Sequence, residues 1–298
     1  MRDWWQDLTD LVLPAECGGC GAPRTVLCAR CRTALGGAVP CRVRPVPEPS
    51  GLPPVHAAAR YTDEVRATLL AHKERGALGL ARPLGRALAG AVRAGLGAVR
   101  APGVRDGPVL LVPVPSARRA VRTRGHDPAR RIAYAAAGEL RRAGVPARVL
   151  PALRQLRDVA DQSGLGSRQR LANLAGALTL APGCDRLLPA GRVVLVDDLM
   201  TTGASLAEAA RAVRRARPDA ASPDGGGESS ISAPAFVYWS ETGEGRGEQR
   251  SGRARRSAGR RSGRPPVMTG AGGADGNTGA MCAAVVAASP DAFEINRN

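Results

Sequence analysis

Two adjacent aspartates followed by small hydroxyl residues form the stretch of this sequence best suited to chemistry. In RVVLVDDLMTTGAS (192–205), a run of apolar residues leads directly into Asp197 and Asp198. Such a run predicts a buried strand of a parallel sheet, and α/β proteins place ligands at the carboxyl ends of these strands. There the two carboxylates can accept hydrogen bonds from neighbouring hydroxyls, such as the diol of a ribose.

The loop after the aspartates offers hydroxyls and backbone N–H groups to an anion. Gly203 lets the chain turn and approach a phosphate closely. A helix predicted at 205–216, with Ser205 as its N-cap, adds the partial positive charge of its N-terminus. Ribose hydroxyls beside a phosphate describe a ribose 5-phosphate. The predicted phosphate site comprises Thr201, Thr202, Gly203, Ala204 and Ser205.

Three other interpretations of the aspartate pair are weaker. A Walker B strand also ends in acids, but it requires a P-loop lysine within GxxxxGK[ST], and the single lysine here, Lys73, lies in AHKERG. The acid pair of a response regulator would need a lysine near the end of the domain, where this sequence has none. The last interpretation is a strand and a capped helix with incidental acids. The coincidence of adjacent acids, paired threonines and a glycine favours a ligand site over it.

Four of the seven cysteines form two CxxC pairs in CGGCGAPRTVLCARC. Four thiolates on two such turns can close a tetrahedral zinc site, with the sulfurs about 4 Å apart. A single CxxC could equally be a thioredoxin-like redox pair. Two CxxC pairs in sequence, without a βαβ pattern around them, favour zinc. Whether Cys41 is a ligand stays open, and Cys184 and Cys282 are interpreted as small buried residues. The predicted zinc ligands are Cys17, Cys20, Cys28 and Cys31.

The chain is strongly basic, with a formal net charge of +17. The densest block, SARRAVRTRGHDPARRIAYAAAGELRR (116–142), holds eight arginines and two acids. Such a block attracts phosphates, on small molecules or on nucleic acid.

Composition and targeting signals predict a cytoplasmic protein. No run of about 18 apolar residues is present, which excludes a membrane span. The first residues, MRDWWQDLTD, carry aspartates where a signal peptide needs a basic and then an apolar segment.

Strands and helices alternate along the sequence, which predicts a parallel α/β sheet. Apolar runs predict strands at 107–115, 144–156 and 192–198. Residues 157–178 are interpreted as a loop and hairpin region. Helical patterns occupy 3–13, most of 62–100, 127–143 and 205–216.

Several segments resemble known families. VVLVDDLMTTGAS resembles the PRPP-binding motif of type I phosphoribosyltransferases, and the arrangement around it resembles the ComF competence family, whose members join a zinc ribbon to such a domain. The other similar segments are LVPVPSARRAVRTRGHDPA (111–129), DQSGLGSRQRLANLAGAL (161–178) and LLAHKERGALGLARPLGRALA (69–89), the last around a Lys-x-x-Gly.

This resemblance implies a fold, a ligand and roles for individual residues. The expected fold is a type I phosphoribosyltransferase-like parallel sheet flanked by helices, with a small N-terminal zinc ribbon. The expected ligand is PRPP or a related ribose 5-phosphate with Mg²⁺, and Asp197 and Asp198 would hold its ribose hydroxyls as the catalytic residues. Arg118, Arg119 and Arg124 would bind the pyrophosphate.

The chain is accordingly expected to have four parts. Residues 1–54 contain an N-terminal helix, the zinc ribbon and a Pro-rich connector, and 55–217 form the phosphoribosyltransferase-like domain. The Gly-, Ser- and Arg-rich stretch 218–280 is predicted to be a disordered insertion, because it cannot bury a core. Residues 281–298 supply the final strand and tail of the domain.

Two classes of function remain open at this point. The chain can be a phosphoribosyltransferase with an unknown acceptor, linked to DNA uptake. It can also be a catalytically inactive module of the DNA-uptake machinery that binds single-stranded DNA or a partner helicase. The low aromatic content, 3%, weakens binding of DNA by base stacking.

Overall fold

The structure is a computed structural model that describes residues 16–98, 107–157, 167–216 and 281–297. The α-helices are α1 (Ala29–Gly36), α2 (Asp63–Glu74), α3 (Ala81–Ala98), α4 (Arg118–Arg124), α5 (Pro128–Arg142), α6 (Ser167–Leu174) and α7 (Ala204–Arg215). The strands are β1 (Cys41–Val43), β2 (Val55–Arg60), β3 (Val109–Pro113), β4 (Ala147–Val149), β5 (Leu153–Gln155), β6 (Leu178–Leu180), β7 (Arg192–Met200) and β8 (Cys282–Ala288). Short 3₁₀ helices span Leu78–Leu80, Asp185–Ala190 and Pro290–Arg297.

A six-stranded sheet in the order β1-β2-β8-β7-β3-β4 forms the centre of the fold. The β1–β2 pair is antiparallel, and the other neighbouring pairs are parallel. Every residue of β3 and β8 is buried, as expected for parallel strands covered by helices on both faces. Helices α3 and α5 pack on one face and α7 on the other. The predicted α/β class, a largely parallel sheet flanked by helices, is confirmed at this level.

Strand β8 lies inside the sheet, between β2 and β7. The final strand predicted within 281–298 is therefore a strand of the central sheet. Its side chains are mostly alanine and valine, and all have 0–1% exposure. Small buried residues here allow α3 to approach the sheet closely, and Gly95 of α3 lies directly against Cys282.

Within the region predicted as loop and hairpin, 157–178, the described residues 167–174 form helix α6 instead. The antiparallel pairing instead joins β5 to β6, on either side of this helix in the chain. An ion pair on α7 between Arg211, which is partly exposed, and the buried Glu208 holds β6 in place. Glu208 accepts a hydrogen bond from the Leu178 N–H at 2.9 Å, and Arg211 donates one to the Leu178 carbonyl at 2.9 Å. Two side chains thus complete the backbone hydrogen bonding of β6, as a further strand would.

The cysteine-containing segment shares its core with the helices beside the sheet. Leu27 and Leu35 are buried with Leu69 of α2 and with Leu80. Gly18 approaches Leu80 so closely that a Cβ atom would lie 2.5 Å from its Cδ1. The segment is therefore part of the same hydrophobic core as α2 and α3.

Two predicted parts lie outside the described residues, namely the helix at 3–13 and the insertion at 218–280. Within the described part of the chain, no helix combines the length and apolar character that crossing a membrane requires.

Candidate functional site

The aspartate pair lies near the carboxyl end of β7, but the strand does not end there. It continues to Met200, because Leu199 and Met200 pair with Ala287 and Ala288 of β8. The predicted end at Asp198 is therefore two residues short. The two aspartates face different neighbours: Asp197 lines a pocket formed with the loop that follows β7, whereas Asp198 contacts helix α2.

Asp198 forms an ion pair with Lys73 at the end of α2. The distance from Lys73 Nζ to Asp198 Oδ2 is 3.1 Å, and the Asp198 side chain is only 8% exposed. Attraction to Asp198 is the main reason why the pKa of Lys73 is raised above its usual value. Lys73 was not among the residues predicted for the site, although it is the single lysine of the sequence and lies in the Lys-x-x-Gly segment.

The carboxyl group of Asp197 has a different electrostatic environment from that of Asp198. Burial, followed by the charge of Asp198, raises the pKa of the Asp197 carboxyl well above its usual value, and Lys73 only partly opposes this. Its Oδ1 accepts a hydrogen bond from the Asp198 N–H at 2.8 Å. The pair therefore combines one carboxylate that is paired with a cation and one that resists ionisation.

The loop after β7 forms a small pocket at the start of α7. Gly203 has φ 75°, in the left-handed region, and the helix begins immediately after it at Ala204. Ser205 therefore lies in the first turn, and the prediction that it caps the helix is wrong. The first-turn N–H groups of a helix have no acceptor within the helix, which makes this end suited to an anion. The pocket is lined by Asp197, Leu199, Met200, Thr201, Thr202, Gly203, Ala204, Ser205 and Leu206.

The three arginines predicted to bind pyrophosphate all lie on α4, and they have different surroundings. Arg118 and Arg119 are exposed, and Arg118 Nη2 donates to the Gln155 carbonyl of β5 at 3.3 Å. Arg124 forms an ion pair with Glu74 of α2, with 2.9 Å between Nε and Oε2. Of these three arginines, Arg124 is the one that forms an ion pair with α2, at the residue after Lys73. Glu74 was not predicted, and no local sequence signal marks it.

The four predicted zinc ligands lie together. One sulfur from each of Cys17, Cys20, Cys28 and Cys31 lies within 4.8 Å of all the others, slightly wider than the expected 4 Å. The Sγ atoms of Cys20 and Cys28 lie 3.5 Å apart. Cys41 does not belong to this group; it lies on β1, opposite Ala57.

The backbone around the sulfurs favours thiolates at two of the four positions. Burial alone would raise the pKa of Cys17, but N–H groups of Cys28, Cys20 and Gly19 lower it to about 6. The backbone N–H of Cys31 lowers the pKa of Cys28, whereas burial raises that of Cys31. Thiolate sulfurs that accept backbone N–H groups fit a tetrahedral zinc ion, because zinc binds the deprotonated form. The cluster can therefore hold one zinc ion.

Comparison with known proteins adds no family to this picture: no protein-family model matches the chain, and no curated protein matches it. Function is therefore inferred from the geometry of the site at the carboxyl end of β7, which we call the sheet-edge site.

Proposed function

We propose that the chain binds PRPP, or a related ribose 5-phosphate, with Mg²⁺ at the edge of the sheet, as a ComF-like phosphoribosyltransferase-domain protein linked to DNA uptake. The observation that carries this proposal is the contact between Asp197 and the pocket at the start of α7. Acceptors for hydroxyl groups and donors for a phosphate lie on one short segment there. A sugar carrying both groups fits this arrangement better than a free phosphate or a free sugar does.

Each part of such a ligand has a partner in the proposal. The 5-phosphate lies against Thr201–Ser205, where the N-terminus of α7 favours negative charge. Asp197 and Asp198 accept hydrogen bonds from the ribose hydroxyls. The diphosphate lies toward Lys73 and Arg124, the two cations that pair with acidic side chains beside the strand end. Mg²⁺ would be held mostly by the oxygens of the ligand, as is usual for an ion that takes few protein ligands.

The chemistry in this proposal needs no protein nucleophile. Loss of pyrophosphate from the anomeric carbon passes through an oxocarbenium-like state, so the protein contributes position and charge. The carboxylates keep the ribose in place and lie near the positive charge that develops on it. Lys73 and Arg124 stabilise the negative charge that develops on the leaving group.

Binding of PRPP with Mg²⁺ is expected to raise the melting temperature of the wild-type protein. A ligand that binds only the folded state stabilises it by about 2.7 kcal/mol at a hundredfold excess over Kd. Differential scanning fluorimetry over a PRPP series, with Mg²⁺ constant, measures this, and a pyrophosphate-release assay tests for turnover. No shift at millimolar PRPP would contradict the proposal.

A second candidate function, binding of single-stranded DNA, is favoured by a basic surface. We define the basic surface as the exposed arginines of α4 and α5, which are Arg118, Arg119, Arg122, Arg130, Arg131, Arg141 and Arg142. Phosphates along a DNA strand bind such a surface mainly by releasing counterions. With this function, the chain would be a catalytically inactive module of the DNA-uptake machinery that binds DNA or a helicase partner.

Affinity for single-stranded DNA is then expected to fall steeply with salt. Replacing Arg118, Arg119 and Arg122 with alanine should reduce the slope of log affinity against log salt by about 2, at about 0.7 per lost phosphate contact. Fluorescence anisotropy with a labelled oligonucleotide measures the slope. As a control, asparagine at positions 197 and 198 should scarcely change it. A slope that does not respond to the arginine substitutions would rule out this surface.

A further inference from the structure

Three consecutive residues at the end of α2 each contact a different element around the sheet-edge site. The carbonyl of His72 lies 3.2 Å from Nε2 of His126, which follows α4. Lys73 pairs with Asp198 of β7, and Glu74 pairs with Arg124 of α4. The end of α2 therefore places one cation and one anion at the site, each against an opposite charge.

The Glu74–Arg124 pair is the less expected of the two ion pairs. Lys73 neutralises a buried carboxylate, and such a contact has an evident electrostatic reason. Arg124 instead has a side chain 20% exposed, and its Nε is committed to a carboxylate that is itself 46% exposed. Glu74 is thus a partly exposed acid beside Lys73, bound to the guanidinium that the proposed diphosphate would need. A second anion that approaches Arg124 must either share it with Glu74 or displace Glu74.

The backbone around Arg124 is held independently of this ion pair. The carbonyl of Arg124 lies 3.2 Å from Nδ1 of His126. Asp127 then caps α5 by accepting the Arg130 N–H at 3.1 Å, and its other oxygen accepts the N–H of Ser116 at 3.1 Å. The Arg124 side chain can therefore exchange one partner for another by rotating, while its backbone stays in place.

We propose that Glu74 is a competing anion that the diphosphate of the ligand displaces from Arg124. This inference rests on the proposed function, because it assigns Arg124 to the diphosphate. A ligand with a 5-phosphate alone would fill the pocket at the start of α7 and leave the Glu74–Arg124 pair intact. Only a ligand with a second anionic group can make the exchange. Glu74 thereby lowers affinity for diphosphate-bearing ligands, and its return to Arg124 would favour release of pyrophosphate.

The test compares the affinities of two variants, each with one glutamate of α2 replaced. Glu74→Gln removes the competing charge, and Glu64→Gln is the matched control, because Glu64 of α2 also pairs with an arginine, Arg30, at 3.4 Å. Both variants change the net charge equally. Isothermal titration with Mg²⁺ present measures affinity for PRPP, pyrophosphate and ribose 5-phosphate. Arg124→Gln serves as the reference for loss of the guanidinium, and thermal melts show that each variant is folded.

Glu74→Gln is expected to strengthen binding of PRPP and pyrophosphate by about two- to fivefold, the range set by a partly exposed ion pair. Glu74→Gln should leave the affinity for ribose 5-phosphate unchanged, and Glu64→Gln should change none of the three affinities. Arg124→Gln should weaken binding of both PRPP and pyrophosphate.

Four results would overturn the inference. If Glu74→Gln weakens PRPP binding as much as Arg124→Gln does, Glu74 orients Arg124 for the ligand instead of competing with it. If both glutamine variants strengthen binding equally, the site responds only to net charge. If PRPP and ribose 5-phosphate bind but Glu74→Gln changes neither, Glu74 has no part in binding and the proposed function still stands. If wild type and Glu74→Gln bind none of the three ligands, the proposed function falls and this inference with it.

Discussion

Replacing both Asp197 and Asp198 with asparagine is expected to weaken PRPP binding by at least roughly tenfold. A hydrogen bond to a charged group contributes about 1.5–3 kcal/mol, and each 1.4 kcal/mol corresponds to about tenfold in affinity. Asparagine keeps the size of the side chain but removes the acidic group, so the loss reports on the two carboxyl groups themselves. Titration calorimetry of the double variant measures it. Unchanged affinity would show that the ribose hydroxyls lie elsewhere.

The single variants at these positions should differ in stability, with opposite signs. Because the pKa of Asp197 is raised in the folded protein, the folded state binds its proton more tightly than the unfolded state does. The contribution of this group to stability is therefore full below the unfolded pKa and falls as pH rises toward the folded value. At pH 7, above the unfolded pKa, folding must protonate this carboxyl or bury its charge, and either one costs free energy. Asp197→Asn removes this cost, and we expect the free energy of unfolding at pH 7 to increase.

Asp198→Asn should instead destabilise the protein, because it leaves Lys73 without its ionised partner. Breaking a buried ion pair typically costs about 3–5 kcal/mol, and partial exposure of Lys73 reduces the expected loss to about 1–3 kcal/mol. Urea denaturation of both single variants between pH 4 and pH 8 gives the comparison. Equal effects of the two substitutions would contradict the different environments described for these aspartates.

Removal of zinc is expected to have the largest effect on stability. Structural zinc sites bind with about 10–16 kcal/mol of apparent free energy in small modules, and much of this is folding energy. Cys17 and Cys31 belong to the same buried core as α2 and α3, so loss of the metal should lower the melting temperature of the whole described region. Elemental analysis should find about one zinc per chain, and thermal melts with a chelator measure the destabilisation.

Cysteine substitutions separate the zinc site from general loss of thiols. Cys28→Ser should reproduce the effect of the chelator. Cys184→Ser is the control, because Cys184 lies outside the cluster and is only partly buried. A metal-free protein whose melting temperature does not respond to the chelator would show that the four cysteines have another role.

Local patterns were sufficient to predict the elements that lie in the centre of the sheet. The apolar runs at β3 and β7 identify these strands without knowledge of contacts distant in the chain, because a strand buried on both faces is apolar along its length. The cysteine spacing was equally informative, since two CxxC turns place four sulfurs within reach of one ion. Strand β8 could be read from its composition, although its position between β2 and β7 could not.

Errors occurred where contacts distant in the chain decide the structure. Strand β7 extends past Asp198 because β8 pairs with Leu199 and Met200. The start of α7 is set by Gly203 in a left-handed conformation, so the serine that resembles an N-cap falls within the first turn. The ion pairs of Lys73 and Glu74 join α2 to elements far along the sequence, and periodicity carries no information about them.

The position of β8 has a consequence for how the protein is made. During synthesis on the ribosome, β1, β2, β3, β4 and β7 are all made before β8, the strand that lies between β2 and β7. Until then β2 and β7 each present an unpaired inner edge, which is the kind of surface on which nascent chains associate wrongly. Closure of the sheet is therefore a late event in biosynthesis. Pairing with a wrong strand is therefore possible at both inner edges until residue 288 has been made.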